Sequence, residues 1–200
     1  MQWALTIVQP PAAEPVSLAE AKAHLRVDDD SQDAYIAALI TAAREWCEQF
    51  QGRAYIQQRL RLHLETWPSG RRILLPRPPL VSVESVSYRN DEGQTIVLDP
   101  SAYRVDTASE PGAIVLAPDR YWPGEMLDEG LPIQVDFTAG YGPDASAAPQ
   151  RAKQAILLYV GFLYENRGDS LGQVGLPRAV RDAIEALLWP DRVWYPGPEG

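Results

Sequence analysis

The chain has 200 residues, 46% of them hydrophobic, and a formal net charge of −9. That is apolar material for one domain or two small ones, and too much for a disordered chain. The charge excludes tight duplex binding by a single copy, because no basic tract is present to displace counterions, and no apolar run reaches the ~18 residues of a membrane span. Residues 1–53 carry 4 basic and 8 acidic groups, residues 54–148 carry 8 and 13, and residues 149–200 carry 6 and 6. The opening MQWALTIVQPPAAEP has neither a basic start nor a long apolar stretch, so it does not read as a secretory signal.

The first strong signal is Ser17 followed by Glu20, a capping box. Leu18, Ala21, Lys22 and Leu25 then give a short helix of about two turns, which Asp28, Asp29 and Asp30 break. Asp30 or Ser31 is expected to cap a second helix. Ile36, Leu39, Ile40, Ala43, Trp46 or Cys47, and Phe50 form its stripe over roughly five turns. Arg44, Glu45 and Glu48 are expected largely off that stripe, and Gly52 stops the helix.

From about residue 55 the period falls to two. Leu60, Leu62 and Leu64 alternate with Arg59, Arg61, His63 and Glu65, the pattern of a half-buried strand. Further strands are read at Ile73–Leu75, at Val81–Tyr88 with a break between Glu84 and Val86, and at Thr95–Leu98 after an Asn90–Gly93 connection. Tyr103–Val105, Ala113–Leu116 and Ile133–Thr138 complete the series. About six or seven short strands at this spacing describe a small antiparallel sheet system or barrel.

Helix returns after Pro149 and runs to about Arg167, with Ala152, Ile156, Tyr159, Val160 and Leu163 on one face. Gly168 to Gly175 reads as a glycine-rich loop, and Arg178 to Leu188 as a last short helix. The ending WPDRVWYPGPEG cannot be regular helix. Its aromatic residues are expected to dock, on their own chain or on another. The fold class is therefore α+β: a discontinuous helical bundle domain with an inserted small antiparallel β domain. Its parts are residues 1–53 and 149–188 (helical), 54–148 (β) and 189–200 (tail).

The search for chemistry is negative. His24 and His63 lie on different elements without further ligands at metal-site spacing. The Asp28–Asp30 run reads as a solvated loop, without the glycine and closing glutamate of a calcium loop. Cys47, the single cysteine, reads as a small buried hydrophobe. Thr138–Gly142 carries a GxG, but Pro143 and Asp144 follow where a phosphate-binding helix would open, so it reads as a strand-exit turn with Tyr141 packed inward. No Ser/His/Asp order sits on a plausible scaffold. Glu165, Asn166 and Arg167 form the most polar cluster, read as a latch between domains or subunits. No catalytic, cofactor or metal residue is assigned.

Taken in order, PVSLAEAKAHLRVD, AAREWCEQFQGRA, ILLPRPPLVSVESVSY, VDFTAGYG and AILLYVGFLYENR resemble the head–tail connector (adaptor) proteins of tailed bacteriophages and prophages, with relatives in gene-transfer particles. LPRAVRDAIEALLWPDRV is similar to that family's C-terminal helix and RV ending, whereas Ala147-Ala148-Pro149 is looser than the apolar–Pro step expected there. The resemblance runs from about residue 14 to about residue 195.

It implies a structural protein of the virion neck, assembled in the host cytoplasm, without enzymatic activity or cofactor. Its partners would be copies of itself in a ring (a dodecamer in the particle), the portal protein, the next neck or tail-completion protein, and DNA that slides past without sticking. No membrane is implied. Trp189, Arg192, Trp194 and Tyr195 are the candidate subunit or portal interface. Removing residues 189–200 is then expected to abolish docking and leave the monomer folded. The rival reading is a carbohydrate- or peptide-binding module whose β insert presents Tyr88, Tyr103, Tyr121 and Trp122.

Overall fold

The structure, a computed structural model, describes residues 2–167 and 176–199; the glycine-rich loop read at Gly168 to Gly175 lies outside them. The elements run β1 (Trp3–Gln9), α1 (Leu18–Leu25), α2 (Asp33–Gln51), β2 (Gln58–Leu64), β3 (Arg72–Leu74), β4 (Leu80–Arg89), β5 (Thr95–Val97), β6 (Tyr103–Asp106), β7 (Ala113–Leu116), β8 (Ile133–Ala139), α3 (Gln150–Glu165) and α4 (Arg178–Leu188). The fold is α+β, with helices from both ends of the chain packed together and the other strands between them.

Two antiparallel sheets form, one of five strands in the order β1-β2-β8-β4-β5 and one of three in the order β3-β7-β6. Leu60, Leu62 and Leu64 of β2 point into the space between the sheets, against Ile73, Leu75, Ile114, Val135 and Phe137. The opposite face of β2 is polar, and Arg61 forks onto Asp136 directly across on β8, at 2.6 and 2.8 Å. β4 loses register between Leu80 and Ser82 and again between Val83 and Ser85. The second irregularity is next to the expected break, and the first leaves Val81 exposed.

Residues 3–9 depart from the expectation that they belong to the helical part. They form β1, an edge strand paired to β2 with Leu5 opposite Leu62. Ala4 and Val8 are apolar on the solvent face, so the period-two alternation that marks β2 is erased here.

The helical core gathers Ile36, Ile40, Ala43 and Cys47 of α2 with Ala152, Ala155, Ile156 and Val160 of α3, and Ile184 and Leu188 of α4. The capping box forms as read: the Ser17 amide donates to Glu20 Oε2 at 2.7 Å and the Glu20 amide donates to Ser17 Oγ at 3.2 Å. Helix α1 ends earlier than expected, at Arg26, which takes up the left-handed conformation with its amide on Ala23 and Lys22 carbonyls. The cap of α2 also differs. Gln32 stands there, and its side chain makes no capping hydrogen bond to the first turn. Lys22 takes Asp30 at 2.6 Å, and the Ser31 hydroxyl donates to the Asp29 carboxylate, so neither candidate cap is free.

Arg44 and Glu48 lie off the apolar stripe as expected, yet both are buried. They pair at 2.9 Å on a second face of α2 that is turned toward the β part. Glu48 Oε1 accepts from the Tyr55 amide at 2.8 Å and from Gln58 Nε2 at 3.3 Å. Arg44 also donates to Glu14 at 2.7 Å, and Arg77 donates to the Glu48 carbonyl at 2.5 Å. Burial pushes the Glu48 carboxyl above its usual range, and the Tyr55 amide and Arg44 pull it back.

Two glycines close the joint. Gly52 ends α2 at φ +73°, and a Cβ there would lie 2.6 Å from the Val193 carbonyl oxygen. Gly140 leaves β8 at φ +132°, where a Cβ would lie 2.5 Å from Ile56 backbone atoms.

The tail folds back on its own chain. The Val193 amide donates to the Gln51 carbonyl at 2.8 Å, and the Leu74 amide donates to Pro198 at 2.9 Å. The Tyr195 hydroxyl donates to the Leu74 carbonyl at 2.9 Å, and Trp3 meets the Tyr195 ring edge-on at 5.1 Å. Residues 189–198 are therefore part of the fold, and their removal would strip partners from α2 and β3.

Replacing Glu48 with Ala leaves Arg44 buried with only Glu14 and Glu45 beside it. Urea denaturation is expected to show a loss of about 3–5 kcal/mol. Tyr195→Phe removes one hydrogen bond and keeps the ring, so the same measurement is expected to show about 1 kcal/mol.

Candidate functional site

Two exposed tryptophans mark a surface where the tail crosses the end of α2. Trp189 is 55% and Trp194 69% exposed. Between them sits Arg192, whose guanidinium carbon is 4.1 Å from the Trp194 ring centre, 4.4 Å from Phe50 and 5.3 Å from Trp189. Behind Phe50 the stack continues into the bundle. Trp46 lies parallel to Phe50 at 5.5 Å and edge-on to Tyr159 at 5.1 Å. The sequence reading places Trp46 and Phe50 in the helix stripe; their role in backing Arg192 depends on the tail's return path, which spacing does not reveal.

Three of the four tail candidates thus share one patch. Tyr195 does not join them, because its ring and hydroxyl are turned into the chain's own β part. A planar cation between aromatic faces is held without loss of its charge, and such contacts are worth about 0.5–1 kcal/mol at exposed sites. The patch is pre-shaped, apolar at its edges and positive at its centre. It can bind by packing; it offers no nucleophile or proton-transfer pair.

The Glu165–Arg167 cluster resolves into two parts. Asn166 Nδ2 donates to the Phe162 carbonyl at 2.8 Å and Arg167 Nε to the Tyr164 carbonyl at 3.1 Å, so both finish the last turn of α3. The Arg167 guanidinium lies over Tyr164 at 3.8 Å and Tyr35 at 4.7 Å. The Tyr164 hydroxyl donates to Gln32 Oε1 at 3.1 Å. This ties α3 to the start of α2 within one chain. Glu165 stands apart, lining a shallow groove with Leu158, Gly161, Phe162 and Val180.

The aromatic residues of the β insert do not make a platform. Tyr88 is 4% exposed. Trp122 stacks on Trp67 at 5.0 Å and donates its indole N–H to the Gly70 carbonyl at 2.8 Å, while Tyr103 packs against the core between the sheets. Of the four, only Tyr121 stands in solvent.

The remaining candidates have local partners. His63 Nε2 is 3.1 Å from Thr6 Oγ1, and His24 packs beside Gly161. Burial pushes the Cys47 thiol up to about 12, far from a reactive thiolate. The Gly142 carbonyl accepts from the Gln57 amide at 2.8 Å, as a strand-exit turn does, although Tyr141 lies half-open beside Arg53 rather than inside. Among the described residues no group of three His, Cys, Asp or Glu side chains is placed to hold a metal ion, and no helix is long and apolar enough to cross a membrane.

Comparison with known proteins adds to this geometry. The sequence model of one family, "Phage gp6-like head-tail connector protein", matches residues 15–94. No curated protein matches. Among solved structures, a chain in the virion of a native gene transfer agent (GTA) particle is 26% identical, covering 98% of this chain and 99% of that one with a TM-score of 0.75. A chain in the neck of an empty GTA particle, computed with C6 symmetry, is 26% identical over 98% and 100%, with a TM-score of 0.74. One in the neck of a native GTA particle, computed with C12 symmetry, is 28% identical over 100% of both, with a TM-score of 0.67. A connector-family match over the first two helices and first strands thus stands beside an end-to-end likeness to chains of particle necks.

Proposed function

We propose that the chain is a structural adaptor of a phage-like particle. Identical copies form a ring beneath the portal, extend the DNA channel, and offer a lower surface to the next neck or tail component. The carrying observation is the full-length likeness to chains from particle necks treated with six- and twelve-fold symmetry. The physical character of the chain supports it. A net charge of −9 without a basic tract suits a wall that DNA passes without being held. A rotational ring needs two different surfaces that fit each other head to tail. Catalysis has no part in this role.

Within it, Trp189, Arg192 and Trp194 are the docking patch toward the portal or a neighbour, with Arg192 held ready by Phe50. The decisive experiment adds the purified chain to portal-bearing, DNA-filled capsids that lack a neck. A new ring at the portal vertex, seen by electron microscopy, is the expected result. Capsids that stay unchanged at saturating protein would overturn the proposal.

A point variant separates docking from folding better than removal of the tail does. Trp194→Ala is expected to shift stability by no more than about 0.5 kcal/mol, since the ring is mostly in solvent. Capsid binding should fall at least about tenfold in the same preparation, the loss of one aromatic anchor. Unchanged binding would remove the patch from the interface.

A further inference from the structure

The five-stranded sheet has two unpaired edges, β1 and β5. Edge strands are normally blunted by charge, proline or a bulge, because a bare edge pairs with whatever meets it. β1 reads WALTIVQ and has no charged residue or proline over seven residues; its register shift comes only between Ile7 and Gln9. Ile7 is 59% and Val8 45% exposed. Among the described residues no backbone hydrogen bond reaches the outer side of this strand. β5 is also uncharged, and its Val97 is 64% exposed.

A cleft opens beside β1 on the face that turns toward α2. Trp3, Leu5, Ile7 and Leu60 form its floor, and Arg44 and Tyr195 help to wall its volume of about 560 Å³.

From these two edges we infer that β1 of one copy pairs with β5 of the next, so that the sheets of adjacent subunits join edge to edge around the ring. The inference rests on the ring reading given above and names its contact. Pairing of β1 with β1 would be two-fold and would close at a dimer. Pairing of β1 with β5 is head-to-tail, uses a different surface on each partner, and can repeat around a ring. The backbone supplies the fit, because each edge presents a row of donors and acceptors at strand spacing.

The test places a photo-activatable benzophenone residue at Val8 and irradiates assembled particles. Within one chain β1 and β5 are four strand spacings apart, about 19 Å. An adduct between position 8 and the tryptic peptide Asn90–Arg104 therefore joins two chains. That adduct is the expected product, together with the reciprocal one from a benzophenone at Val97 to the peptide Met1–Lys22. Both sites are exposed, so the fold should tolerate them. Rings visible in the micrographs with neither adduct, or with adducts only to other particle proteins, would overturn the edge pairing and leave the adaptor reading intact. Particles without any ring of this chain would overturn the adaptor reading and the pairing together.

Discussion

The two halves of this molecule are joined through one buried carboxylate. Glu48 sits near the end of α2, and its carboxylate is met by Arg44 one turn earlier, by the Tyr55 amide of the linker and by Gln58 at the start of β2, while Arg77 from the β3–β4 connection holds its main-chain carbonyl. A charge taken out of water is tolerated only when it is paired and its lone pairs are filled. Glu48 meets that condition only when Arg44, Tyr55 and Gln58 are all in place. The orientation of the helical core relative to the sheets is therefore fixed by satisfaction of polar groups, and hydrophobic burial secures each side separately. Gly52 and Gly140 complete the arrangement by letting backbone approach where a Cβ would collide.

Much of this was legible in the sequence. The capping box, the α2 stripe, the alternation of β2 and the boundaries of α4 follow from spacing alone. What escaped has a common physical cause: it depends on contacts far apart in the chain. An Arg and a Glu four residues apart look like a solvated helix pair until residues 14, 55 and 77 are known to surround them. Trp122 looks like a surface aromatic until Trp67 is laid beneath it. The strand at residues 3–9 was invisible because apolar residues fall on both of its faces. The aromatic patch was half legible: its tail residues stood out, while Phe50 and the inward turn of Tyr195 did not.

Polar side chains at the joint and at the helix ends are spent on holding elements in place, as with Arg167 over its two tyrosines and Arg61 on Asp136. Rigid elements with exposed apolar and aromatic borders are what a symmetric assembly needs, because small angular errors per subunit accumulate around a closed ring.

The discontinuous helical core also has a kinetic side. Ile36, Ile40 and Ala43 find their cover on α3 and α4, more than a hundred residues later. During synthesis the first two helices must wait, with their apolar stripe open, until the strands have emerged and formed. Such non-local closure is slow and exposes surface that favours misassembly. It has a compensating effect. The aromatic patch is built from Phe50 and residues 189–194, so it comes into being only after the bundle has closed. Formation of the patch is thus timed by completion of the fold, and an unfinished chain has no such surface.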